Sequence, residues 1–191
     1  MSSTKLTFKF LSLFLVTGIL FSCGKGTEEE SKPLHPKVAK LKLPEGFKAE
    51  HLYSPGEHGQ GSWVGMTFDD KGRMVVTDQY GSLYRLEIPA IGSDSLAPKV
   101  EKLKIGTGPE DKIGMGFAQG VLFAFNSLYV TVNHNANETF DKGTGLYRLQ
   151  DLDGDDQYEQ ITLIKSLQGE PGEHGPHSMI LSPDKKSIFI V

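Results

Sequence analysis

The densest grouping of reactive side chains in the chain is Glu173-His174-Gly175-Pro176-His177. An imidazole changes protonation state near neutral pH, so His174 suits the work of a general base, and the adjacent Glu173 carboxylate can raise its basicity or take a substrate hydroxyl. The same residues satisfy the spacing equally well as a surface loop bonded only to backbone. A second grouping is Asp151-Leu152-Asp153-Gly154-Asp155-Asp156-Gln157-Tyr158-Glu159. Oxygen ligands from Asp151, Asp153, Asp155 and Glu159 at alternate places in a tight loop suit Ca²⁺, a hard cation. Gly154 falls too early for an EF-hand and no helical pattern flanks the loop, and a solvated acidic hairpin turn is the plainer alternative. The polar stretch Asn133–Glu138 reads as a surface loop with a lesser claim on ligand contact, and Trp63 and Tyr80 read as packing aromatics before sugar-stacking ones.

Cysteine chemistry is narrow. Cys23 is the sole cysteine, so no intrachain disulfide can form, and no Cys-x-x-Cys-His is present to attach a c-type haem. No Cys/His cluster has zinc spacing. The net charge of −4 on 191 residues gives no basic footprint for nucleic acid. Hydrophobic content of 38% and charged content of 23% are those of a globular domain.

The first 22 residues read as a secretory leader, with Lys5 and Lys9 ahead of the apolar run Phe10–Phe21. That run falls short of the roughly 20 residues a bilayer-spanning helix needs. Leu20-Phe21-Ser22-Cys23 resembles the bacterial lipobox, although Phe21 is larger than the residue usual there. The resemblance implies cleavage before Cys23, a diacylglycerol on its thiol and an acylated new N-terminus, which together hold a protein stably on a membrane. Residues 23–42 are polar, charged and proline-containing, the composition of a flexible tether. The expected location is the cell envelope, on the outer membrane, facing either the periplasm or the surface.

Residues 43–191 must supply the frame for both groupings. Short β-rich runs alternate with Gly, Pro, Asp and Asn, and no long helical period is present. Two elements recur in phase. Gly65-Met66-Thr67-Phe68, a turn and Met74–Thr77 match Gly120-Val121-Leu122-Phe123, a turn and Leu128–Thr131, then Met179-Ile180-Leu181, a turn and Ile188–Val191. Gly81–Leu86 (GSLYRL) matches Thr144–Leu149 (TGLYRL), and Val100–Ile105 and Gln160–Ile164 follow as fourth strands. Repeating four-stranded units indicate an all-β fold, a β-propeller of roughly six blades when complete. This chain would hold two blades and the opening hairpin of a third, the N-terminal part of a longer propeller. Phe47–Tyr53 alternates and is expected to be the strand that closes the ring.

The stretch Gly172–Asp184 (GEHGPHSMILSPD) resembles the acid-His stretch of the soluble quinoprotein glucose/sorbosone dehydrogenases. The resemblance puts His174 on the catalytic base and Glu173 on a sugar-contacting acid. Gln119–Phe125 (QGVLFAF) is similar to a strand in which the Gln faces substrate, and His177 joins Gln119 and Glu173 as a substrate-binding candidate. Val76–Leu83 resembles the exit of the first blade, with Gln79 where an Arg is common. Gly46-Phe47, Met66–Arg73, Leu146–Leu149 and Glu173–His177 further resemble large exported proteins described as membrane-bound dehydrogenases or haem-binding domain proteins. That likeness implies pyrroloquinoline quinone held mostly by residues outside this chain, a downstream cytochrome c domain, and a sugar or related alcohol as substrate. Two functions are carried forward: an oxidoreductase of the envelope, and a non-catalytic propeller that binds a glycan or a protein at the surface.

Overall fold

The computed structural model describes residues 34–93, 95–107, 114–138, 141–169, 171 and 174–191. The leader, Cys23, most of the tether and Glu173 lie outside the described residues.

Alternating apolar residues between turn signals make ten strands among the described residues, all antiparallel to their sheet neighbours. The first sheet is a meander of β1 (Trp63–Phe68), β2 (Met74–Asp78), β3 (Leu83–Glu87) and β4 (Lys99–Lys102). The second is a meander of β5 (Ala118–Ala124), β6 (Ser127–Val132), β7 (Gly145–Gln150) and β8 (Gln160–Ser166). A hairpin of β9 (Met179–Leu181) and β10 (Ile188–Ile190) follows. The fold is therefore all-β, as expected from the sequence.

The two recurring sequence elements occupy matching places in the ladders. Phe68, Phe123 and Leu181 sit opposite Met74, Leu128 and Ile188 at the turn end of their hairpins. Tyr84 and Tyr147 pair with Val76 and Val130, and Leu86 and Leu149 pair with Met74 and Leu128. The turns explain the spacing. Asp69 accepts hydrogen bonds from the Lys71 and Arg73 backbone N–H groups at 3.0 and 2.8 Å, an Asx-type turn that Gly72 completes at φ +75°.

The sheets pack through their first strands, β1 beside β5 and β5 beside β9. Val75 and Leu83 of the first sheet share one core with Val121, Leu128, Val130 and Leu149 of the second. The opposite face of the second sheet, with Leu122, Ala124, Tyr129 and Leu146, packs on Met179, Leu181, Ile188 and Ile190 of the hairpin. β6 is buried along its whole length because apolar layers lie on both of its sides. The repeat's glycine is a close-approach residue. A Cβ on Gly65 would lie 2.5 Å from the Gln119 carbonyl oxygen, and one on Gly120 would lie 2.2 Å from that of His177. In both cases any side chain would hold the next segment away from the first strand.

Two expected strands differ. Val100–Ile105 forms a strand only through Lys102, with one further hydrogen bond from the Leu103 N–H to the Leu83 carbonyl at 2.9 Å, while the Leu103 and Ile105 side chains enter the core between the sheets and Ile105 bridges to Tyr158. Phe47–Tyr53 is not a strand. Its alternation marks an extended segment, and no sheet edge among the described residues pairs with it.

Candidate functional site

The histidine loop and the acidic loop fall at opposite ends of the second sheet. Ala118, Val132 and Gly145 are aligned at one end, and Ala124, Ser127 and Gln150 at the other. The loop before β9 approaches the first end, because Gly120 of β5 abuts the His177 carbonyl. The loop from β7 to β8 leaves from the second.

At the histidine end, His174 and His177 are exposed. The His177 ring Nε2 accepts the Gly175 N–H at 3.2 Å, and the His177 N–H donates to the Val191 carbonyl at 3.0 Å. The loop is built against a buried amide. Asn133 is fully buried, its N–H donates to the Phe117 carbonyl at 3.0 Å, and a Cβ on Gly175 would lie 2.3 Å from its side chain. Glycine is thus the one residue type at position 175 that lets the chain pass over Asn133. Thr144 Oγ1 donates towards the His134 carbonyl at 3.3 Å, and the His134 ring stacks on Phe117 with centroids 5.0 Å apart. A wide, open, polar cleft of about 1030 Å³ lies alongside, lined by His134, Asn135, Thr144, Tyr147 and Gly169 among others.

The structure brings Gln119 and His177 close through the Gly120 contact, but Gln119 is 5% exposed. It sits in the irregular stretch of β5, where its carbonyl accepts the Thr77 hydroxyl at 3.2 Å. Trp63 is sandwiched between Tyr53 and Tyr84 at centroid distances of 5.1 and 5.9 Å, so it packs, while Tyr80 is exposed.

At the acidic end, Asp151, Asp153, Asp155 and Glu159 each offer one carboxylate oxygen, and the four lie within 4.8 Å of one another. Oxygens bound to one cation at about 2.4 Å cannot be further apart than about 4.8 Å, so these separations allow the four to share a cation. Backbone donors shape the loop: Gly154 and Asp156 to Asp151, Asp155 to Asp153, Gln157 to Asp155 and Leu152 to Glu159, at 2.7 to 3.1 Å. An open cavity of about 410 Å³ reaches Asp151 and Asp153.

Asp156, within the same loop, does something else. Its carboxylate takes Arg73 at 3.1 Å and Lys71 at 2.5 Å from the β1–β2 turn, and its carbonyl accepts Arg85 at 2.8 Å. The hydrogen bonds from Arg73 and then Lys71 hold its carboxyl well below the usual carboxylate range. Gln157 adds bonds to the Lys104 N–H and the Glu101 carboxylate, both at 2.8 Å. Tyr158 packs between the sheets, and burial pushes its phenol up to about 12. The acidic loop is therefore a clamp across two sheets. Its partners Lys71, Arg73 and Arg85 lie far away in sequence and carried no local signal.

Sequence reasoning also passed over a polar knot near the described N-terminus. Ser54 Oγ lies 2.7 Å from His51 Nε2 and accepts Lys37 Nζ at 2.5 Å, and Lys37 pairs with Glu57 at 2.7 Å. Ser54 is largely buried, and the cluster ties residues 37–57 together. Among the described residues, no helix is long and apolar enough to cross a membrane. No family model, no curated protein and no solved structure matches the chain.

Proposed function

We propose that the two meanders and the hairpin are successive blades of a β-propeller, carried on an envelope lipoprotein anchored through Cys23, and that its histidine end oxidises a sugar or related alcohol. The observation that supports this most is the packing of first strand on first strand. It gathers at one end the segments that lead into β5 and β9, and the second of these carries His174. Loops on a rigid β frame are where binding and catalytic groups concentrate.

In this reading His174 takes the substrate hydroxyl proton while the hydride on the same carbon leaves, and the product is a carbonyl. A quinone of the pyrroloquinoline type, held mostly by residues outside this chain, would supply the two-electron acceptor for that hydride. Glu173 and His177 orient the sugar. Gln119, buried in β5 next to the Gly120 that abuts the His177 carbonyl, holds the floor of the site. Asp151, Asp153, Asp155 and Glu159 would hold Ca²⁺, which would stiffen the far end of the sheet away from His174.

A second reading, a non-catalytic module that binds a glycan or protein, is favoured by the wide polar cleft beside His134, which suits a hydrated ligand more than a small reacting centre. The test is dye reduction by the leaderless protein supplied with pyrroloquinoline quinone, Ca²⁺ and a panel of aldoses. Sugar-dependent reduction that His174→Ala abolishes supports the enzyme. A folded protein that reduces nothing, yet retains glycans on an array, supports the module.

A further inference from the structure

The polar knot between residues 35 and 57 sets a serine between a histidine and a lysine. Ser54 precedes the 3-10 turn Pro55–His58, and its carbonyl accepts the Glu57 N–H at 3.0 Å, which folds Glu57 back beside it. His51, 3 residues before Ser54, brings its ring Nε2 to 2.7 Å from Ser54 Oγ. Lys37 arrives from a separate turn, Val38–Lys40, with its Nζ 2.5 Å from Ser54 Oγ and 2.7 Å from a Glu57 carboxylate oxygen.

The chemistry of the groups orders the hydrogens. An ammonium has donors and no lone pair, so Lys37 donates to both Ser54 Oγ and Glu57. The Ser54 oxygen therefore accepts from Lys37, and its own hydrogen has the His51 Nε2 lone pair to go to. His51 is then the tautomer protonated at Nδ1, with Nε2 turned to Ser54 as a base. A nucleophile and a base within hydrogen-bond reach, the base oriented by a third group, are what activate a serine. The third group is His35. Its ring lies flat on the His51 ring, with centroids 3.8 Å and planes 6° apart, and its own Nδ1 accepts the Lys37 N–H at 3.2 Å. Ser54 is 7% exposed, yet it joins Lys37, His51 and Glu57 in the wall of an open cavity of about 370 Å³.

We infer that Ser54 is an acyl-accepting nucleophile and that this cavity takes the acyl end of a short-chain carboxylic ester. Ser54 Oγ attacks the ester carbonyl while its proton passes to His51 Nε2. The Lys37 ammonium, beside Oγ, stabilises the negative charge that develops on the carbonyl oxygen. The bond from the carbonyl carbon to the alcohol oxygen then breaks, and the alcohol leaves with the proton held by His51. Water adds to the acyl-serine as His51 takes its proton, and the acid departs as that proton returns to Ser54. The sum is ester plus water to acid plus alcohol, with no other co-reactant. A volume at the low end for small-molecule sites favours short acyl chains. The site uses only residues 35–57 and is independent of the reading of the His174 loop.

The experiment treats the purified chain with a fluorophosphonate, which phosphonylates activated serines with loss of fluoride, and locates the adduct by mass spectrometry. The expected adduct is on Ser54, in preference to every other serine. His51→Gln should slow labelling by about a hundredfold, within the usual contribution of a general base. The wild type should hydrolyse para-nitrophenyl acetate with saturation, and Ser54→Ala should not. Nitrogen NMR of the imidazoles should find neutral His51 protonated at Nδ1, and Trp63 fluorescence checks that each variant folds. A folded wild type with no adduct at Ser54 overturns the inference. So does labelling that a folded His51→Gln leaves unchanged, or a neutral His51 with its hydrogen on Nε2. Where a variant does not fold, the wild-type adduct and the His51 tautomer decide by themselves.

Discussion

Two residues carry more of the architecture than their types suggest. Asp156 holds its proton less readily in the folded protein than in the unfolded chain, because Arg73 and Lys71 donate to its carboxylate. The stabilisation this gives is fully present above the unfolded carboxyl value near 3.9 and is lost as pH falls through the lower folded value. Asp156→Asn keeps a residue tolerant of the observed φ of +68° while removing the charge. It should lower unfolding free energy at pH 7 by about 1 kcal/mol, the upper range for part-exposed pairs. Urea titrations at stepped pH check this, and the deficit should shrink steadily below about pH 4. Gly175 is the second. A methyl group there meets the buried Asn133 amide, so Gly175→Ala should cost about 1–3 kcal/mol and shift the His174 loop. Thermal unfolding measures the first effect, and changed histidine ring NMR shifts report the second.

The acidic loop is the element whose behaviour depends most on solution conditions. Four carboxylate oxygens within 4.8 Å repel one another without a cation, yet the same loop carries the bridge to the first sheet. Ca²⁺ at a hundredfold excess over its dissociation constant should add about 2.7 kcal/mol to stability. A rise in melting temperature with Ca²⁺, reversed by chelator and absent in Asp153→Asn, is the expected result. Tyr158, beside the loop, should sensitise terbium luminescence in the wild type but not in that variant. Equal melting temperatures with and without Ca²⁺ would remove the ion from this account.

Across the whole molecule, the second sheet is the shared partner of everything else. Leu128 is fully buried in the core it forms with the first sheet, and the other face of its sheet holds the hairpin. Leu128→Ala should cost about 2–5 kcal/mol. Trp63, the sole tryptophan, lies in the first sheet and reports on it separately. If the sheets form one cooperative unit, its fluorescence and the far-ultraviolet dichroism of the variant should lose the same amount in one transition. Two separated transitions would show that the first sheet stands without the second.

What the amino-acid sequence determined by itself is local. Strand alternation, turn chemistry and the in-phase recurrence of Gly-x-x-Phe and Leu-Tyr-Arg-Leu specified the all-β class, the two four-stranded units and the final hairpin, because hydrogen-bond ladders between consecutive strands need only short loops. The clustering of the Asp151, Asp153, Asp155 and Glu159 carboxylates was legible for the same reason, since they lie within a few residues of one another. What depended on distant segments was not legible. Phe47–Tyr53 alternates like a strand but has no edge to pair with among the described residues, Gln119 lies buried in β5 rather than open to solvent, and the fourth strand of the first sheet ends at Lys102, short of Ile105, which lies in the core between sheets. The clamp of Asp156 on Lys71, Arg73 and Arg85 and the passage of Gly175 over Asn133 join residues far apart in the chain. Only the tertiary structure decided these, because packing between sheets selects which side chains meet, and no sequence period encodes that choice.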